Sequence, residues 1–214
     1  MATIALDTSL DVRVAICDGT DVLATRGCAD PRAHVEQLTP LLGEALDAAG
    51  RPRITRVVVG IGPGPFTGLR VGIAAAQMLA FLHEAELVSV CSLDVLAAQV
   101  SREQVSREQV AREDEFSVVT DARRGEWYHA RYAAGERIGS PAVSVPDVVP
   151  GPHVGPVVEG AGHVDHLDPV VLATGDFPTM PPQALYLRDP DAKVPTRRKS
   201  ALVPGLVLPT GGAR

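Results

Sequence analysis

Aromatic residues are scarce: Phe, Trp and Tyr make up 4% of the 214 residues. That is too few for the stacking platform on which single-strand-binding proteins hold bases. An excess of positive charge is missing too. The formal charge is −6 and the pI near 5.5, so no global basic field draws the chain to nucleic acid or anionic membrane. Cysteine is sparse and odd in number: Cys17, Cys28 and Cys91, with no C-x-x-C pair. This argues against a disulfide framework or a structural zinc site and fits a reducing compartment. No charged, apolar leader opens the chain, because Met1-Ala2-Thr3-Ile4 runs straight into strand-like alternation. An unbroken 18-residue apolar run is also lacking, since glycine and Gln77 interrupt the longest apolar helix. The expectation is a cytoplasmic protein without a membrane segment.

What is there is a globular composition, 45% apolar and 21% charged, which suffices to offset ordering entropy over most of the chain. The length suits one ordinary domain or two small ones. Ile4 and Leu6, then Val12, Val14 and Ile16, then Val22-Leu23-Ala24 alternate with small or polar residues, with turn residues at Ser9-Leu10-Asp11 and 18–21. They predict three short antiparallel strands. From Pro31 to Gly50 the period becomes 3.6, with Val35, Leu38, Leu42 and Leu46 on one stripe and Gly50 as C-cap. Arg56 to Ile61 reads as a buried strand, Thr67 to about Leu82 as a second helix, Leu87 to Val90 as a strand and Ser92 to about Arg112 as a third helix. This βββ-α-β-α-β-α order suits a mixed sheet covered by helices, as in a half-domain of the actin-like or ribonuclease-H-like (ASKHA) folds.

Ser101 to Val105 is repeated as Ser106 to Val110, a period of five that holds no helical face and reads as a lengthened solvated helix. A hairpin is expected from Phe116-Ser-Val-Val-Thr120 and Glu126 to Tyr132 around Asp121-Ala-Arg-Arg-Gly125. Thirteen of the eighteen prolines lie from Pro141 onward. A further strand is expected at Gly155 to Glu159, and after Gly175 the chain reads as loop and tail with a basic cluster at Arg197-Arg198-Lys199.

Gly60 to Arg70, G-I-G-P-G-P-F-T-G-L-R, is a glycine-rich turn between a buried strand and a helix, where phosphates bind. Its spacing matches neither a P-loop nor a dinucleotide turn, and Pro63 and Pro65 remove two donors. Asp7-Thr8-Ser9 stands where actin-like ATPases place an aspartate near metal, but those enzymes follow the aspartate with glycine; a structural Asx or Ser/Thr turn is the plainer reading. No nucleophile constellation is present. His83-Glu84 lacks a second histidine, and His163, Asp165, His166 and Asp168 fit a solvated turn better than a metal site. The second helix is apolar nearly all round, from Leu69 and Val71 through Phe81 and Leu82, and so has faces to bury against its sheet and against a neighbouring helix or another chain.

The block Gly62 to Gly72, G-P-G-P-F-T-G-L-R-V-G, resembles the signature of the TsaB family, the dimerisation subunits of the bacterial tRNA threonylcarbamoyladenosine machinery. Supporting matches follow in the family's order: Ile4 to Ser9, His34 to Leu42, Cys91 to Ala97, Asp121 to Tyr128 and Leu185-Tyr-Leu-Arg-Asp-Pro-Asp191. The resemblance implies a two-subdomain ASKHA fold with no catalytic residues and no cofactor of its own. It implies pairing with a TsaD-type catalytic paralogue through the first two helices, with a TsaE-type ATPase joining and tRNA met through the complex. That machinery modifies adenosine 37 of tRNA at N6. TsaD carries a His-x-x-x-His metal pair where Ser92 and Leu96 stand here.

The chain departs from the family in one respect: a proline-started Ala/Leu-rich helix before the Leu-Tyr-Leu-Arg motif is reduced to Gly175–Pro182. The implied organisation is a first subdomain over 1–100, a second, shortened one over 101–190, and a tail over 191–214. Helical periodicity names Leu38, Leu42, Leu46, Arg70, Ile73, Ala74 and Gln77 for the partner interface. The signature loop is Gly62, Pro63, Gly64, Pro65, Phe66, Thr67 and Gly68. Two other readings stand beside this one. The first is an actin-like ATP-binding enzyme using Asp7 and the Gly62–Gly64 turn; the second is a homodimeric scaffold, the same helical face serving when the partner is missing. Arg123, Arg124 and the 197–199 cluster are candidate tRNA contacts, with solvated surface the plainer reading.

Overall fold

The structure, a computed structural model, describes residues 1–29, 34–104 and 115–188. Strands β1 (Ala2–Asp7), β2 (Val12–Asp18) and β3 (Asp21–Cys28) form the expected antiparallel meander. Helix α1 (His34–Ala48) carries the chain to β4 (Ile54–Gly60), which pairs parallel to β1. Helix α2 (Phe66–His83) leads to β5 (Glu86–Val90), parallel to β4. The sheet order is β3-β2-β1-β4-β5.

Period-two alternation divides this sheet between two cores. Ile4, Leu6, Val12, Val14, Ile16, Val57 and Val59 face α1 and α2. Ala5, Ala15, Cys17, Val58 and Val88 face the other way. The second face is made of smaller side chains, which lets helices lie close to it. It is covered by α3 (Ser92–Gln104) and by α4 (Pro169–Thr174), a one-and-a-half-turn helix that packs on β2, β1 and β4. Asp168 caps α4, its Oδ1 accepting from the Val170 amide at 2.8 Å.

The second sheet has the order β8-β7-β6-β9. Its hairpin, β6 (Glu115–Asp121) and β7 (Trp127–Ala133), lies where the sequence predicts it. β8 (Glu136–Ser144) extends it. The strand expected at 155–159 is corrected: pairing is made by β9 (His153–Val154), and the Gly155–His163 bridge and a 3-10 turn at Gly160–Gly162 follow. Phe116, Val118, Ala130 and Tyr132 join α3 and α4 in the core under the first sheet. Position 100 falls inside α3, and one continuous core serves both sheets.

The expected extension of α3 to Arg112, most of its repeat, the side chain of Val35, the tail 191–214 and the Arg197–Lys199 cluster lie outside the described residues. By length and mean hydropathy, 1.2 over 18 residues, α2 is apolar enough to cross a membrane. Here it lies on β4, β1 and β5.

Candidate functional site

The glycine-rich turn after β4 is closed by the chain's own Asp7-Thr8-Ser9. Asp7 is 1% exposed. Its Oδ1 accepts from the Ser9 amide at 2.7 Å and the Ser9 hydroxyl at 2.6 Å; its Oδ2 accepts from the Ser92 hydroxyl at 2.6 Å. Ser92 Oγ accepts in turn from the Gly62 amide at 3.0 Å, and Thr8 Oγ1 donates to the Gly68 carbonyl at 2.8 Å. Burial pushes the Asp7 carboxyl above the usual range, and its bonds to Ser9 and Ser92 oppose the rise.

The glycines now have a reason. A Cβ on Gly60 would land on Asp7 Oδ2, one on Gly72 would land on Thr8 Oγ1, and one on Gly64 would stand 2.6 Å from the Ser9 carbonyl oxygen. The turn therefore packs closely against the 7–9 segment. Of the two positions aligned with a metal-binding histidine pair, Ser92 is bonded to Asp7 and Leu96 is 1% exposed in the core. Burial raises the Cys91 thiol to about 12, far from a reactive thiolate.

Beside this turn a cleft of about 540 Å³ runs between the two sheets, bordered by Ser9, Arg13, Pro65, Arg123, Tyr128 and Asp165. The cations described there face acids. Arg13 Nε donates to Asp11 Oδ2 at 2.8 Å, Arg123 stands 3.2 Å from Asp121, and Arg188 pairs with Glu126 at its end. Arg123 and Arg124 both hold left-handed backbone, at φ 65° and 57°, within the β6–β7 loop. Of the His163–Asp168 stretch, His163 bonds Asp165 and the Val158 carbonyl, and Asp168 is used in capping α4.

The outer face of α2 is the second feature. Leu38, Leu42 and Ile73, named from periodicity as partner contacts, are 1%, 7% and 6% exposed. They are buried in the core between these helices and their own sheet. Leu46 is half-buried against that core. Arg70, Ala74 and Gln77 are exposed on one stripe of α2. Its continuation was missed by the sequence reading: Met78, Phe81 and Leu82 are 57%, 79% and 66% exposed. In a helix apolar all round, the sheet-facing series Leu69, Ile73, Ala76 and Ala80 was the signal that would have separated them.

The Leu-Tyr-Leu-Arg motif is a strap across the start of α2. Met180 and Leu185 amides donate to the Ser89 and Ile61 carbonyls at 2.8 and 2.9 Å. Tyr186 stacks on Phe66 of the signature with centroids 3.9 Å apart. Arg70 Nε donates to Tyr186 Oη at 2.8 Å, and Gln77 Nε2 donates to the Pro182 carbonyl at 3.3 Å. Two of the residues named for a partner are thus also held by the chain itself.

A family model described as TsaD, tRNA N6-adenosine threonylcarbamoyltransferase, matches residues 29–158. An uncharacterised protein of Mycobacterium leprae is 37% identical over 229 aligned positions, covering 96% of this chain and 60% of that one. The Escherichia coli tRNA threonylcarbamoyladenosine biosynthesis protein TsaB is 33% identical over 140 residues, 64% of this chain and 57% of that one. This chain therefore spans less than two thirds of either relative's length. The structure of YeaZ from Pseudomonas aeruginosa superposes with a TM-score of 0.59 at 30% identity, over 72% of this chain and 75% of that one. The fold is thus the actin-like, ribonuclease-H-like one, and the chain belongs to the TsaD family as a TsaB-like member.

Proposed function

We propose that this chain serves tRNA N6-threonylcarbamoyladenosine synthesis as a non-catalytic subunit that pairs with a TsaD-type transferase and activates it. The observation that carries the reading is the bare apolar stripe of α2, where Met78, Phe81 and Leu82 stand in solvent beside Ala74. Exposed side chains of this size on one helical face mark an interaction surface. The likeness to TsaB supports the choice of partner. A TsaE-type ATPase joins the pair, tRNA is met through the complex, and the setting is the cytoplasm. Alone, the same face supports a homodimer.

The ATP-binding alternative requires Asp7 to face a metal and phosphate, whereas both its oxygens are bonded within the fold. It predicts ATP heats in calorimetry with the isolated chain; the present reading predicts none. The deciding experiment is threonylcarbamoyl transfer to tRNA by TsaD and TsaE with and without this chain. Modification that depends on adding it is expected, and Ala74→Arg should abolish both modification and co-elution with TsaD. Modification at full rate without the chain would overturn the reading.

A further inference from the structure

Arg70 is the only arginine or lysine in α2. It is exposed on the same stripe as Ala74, Gln77 and Phe81. Its own chain nevertheless holds the guanidinium in place. Nε donates to Tyr186 Oη at 2.8 Å, and Cζ lies 4.7 Å from the Phe66 ring centroid and 5.7 Å from that of Tyr186. The two rings are stacked within 4° of parallel, and ring faces attract a cation. Tyr186 is fixed in turn by the strap, through the Leu185 amide on the Ile61 carbonyl and the Arg188–Glu126 ion pair.

Only Nε is used in this arrangement. The N–H groups of Nη1 and Nη2 have no partner among the described residues. Ordering a long side chain ordinarily opposes binding; here folding has already ordered it. A planar fork of N–H donors matches the two oxygens of a carboxylate or those of a phosphate. The surroundings favour the carboxylate of a protein. Met78, Phe81 and Leu82 continue the same face as apolar surface, and the chain carries a formal charge of −6, which repels a nucleic-acid backbone.

We infer that Arg70 is a pre-formed carboxylate receptor at the edge of the α2 face, binding an Asp or Glu of the TsaD-type partner through Nη1 and Nη2, with Tyr186 as its positioning residue. This rests on the pairing proposed above. The test is calorimetric titration of the full chain with TsaD at low and high NaCl. Arg70→Gln, which removes the fork, should weaken Kd at least about tenfold and flatten its salt dependence. Tyr186→Phe keeps the rings and frees the guanidinium, and should weaken Kd about three- to tenfold. Arg70→Lys locates the contact, because Lys193 and Lys199 are the only lysines of the chain. At concentrations that saturate pairing, carbodiimide should join position 70 of that variant to a partner Asp or Glu as an amide, found by mass spectrometry. Unchanged affinity and salt slope in Arg70→Gln, or no cross-link from position 70, would overturn this inference while the pairing stood. Absence of pairing by the parent chain would instead overturn the proposed function, and this inference with it.

Discussion

Asp7 ends β1 with its two carboxylate oxygens fully engaged, and Ser92 is the side chain that joins it to the signature turn. Ser92→Ala leaves a buried carboxylate oxygen and the Gly62 amide short of a partner, a loss expected to cost about 1–3 kcal/mol in urea unfolding. Asp7 also predicts a pH dependence. Burial raises its carboxyl, so the folded chain keeps this proton to higher pH than the unfolded chain, which loses it near about 3.9. Its contribution is complete below that value and is lost as pH rises through the folded one. Asp94 is raised by burial in the same direction. Asp7→Asn mimics the protonated acid, so its urea midpoint should fall less than the parent's between about pH 4 and pH 7. An unchanged slope would mean that Asp7 is ionised in the fold. The sequence showed the aspartate, the glycines and the wrong phosphate spacing. It did not show that one explains the other, because Gly60, Gly72 and the 7–9 turn meet only in three dimensions.

At the scale of elements, α2 separates core from surface in a way that mutation can read. Ile73→Ala should cost about 2–5 kcal/mol, the usual loss for a large aliphatic cut out of a core. Phe81→Glu should leave stability within about 0.5 kcal/mol and abolish pairing with TsaD in gel filtration. Retained pairing in that variant would move the interface off α2. Periodicity found the helix within a residue at each end but not which side meets the sheet, where Leu38, Leu42 and Ile73 are buried, since a helix pair that is apolar on several sides gives the hydrophobic pattern no direction. The strap was legible as a motif and not as a structure: its hydrogen bonds run to the carbonyls of Ile61, just past β4, and Ser89 in β5, which no local pattern announces. Tyr186→Phe keeps the stack on Phe66 and removes the Arg70 bond. It should cost about 0.5–1.5 kcal/mol, measured by urea midpoint.

For the whole molecule, the first five strands and their covering helices could be read from the sequence, the strands from alternation or a continuous apolar run and the helices from the 3.6 period. The second half resists for physical reasons. β8 carries Gly139 and Pro141, tolerable only because it is an edge strand. α4 has six residues, too few to display a helical stripe. Yet α4 completes the face of a sheet whose last strand ends at Val90. A ribosome adding about 5–20 residues per second needs several seconds to move from that strand to Thr174. During that interval Ala15, Cys17 and Val58 lack the cover that α4 gives them in the finished fold.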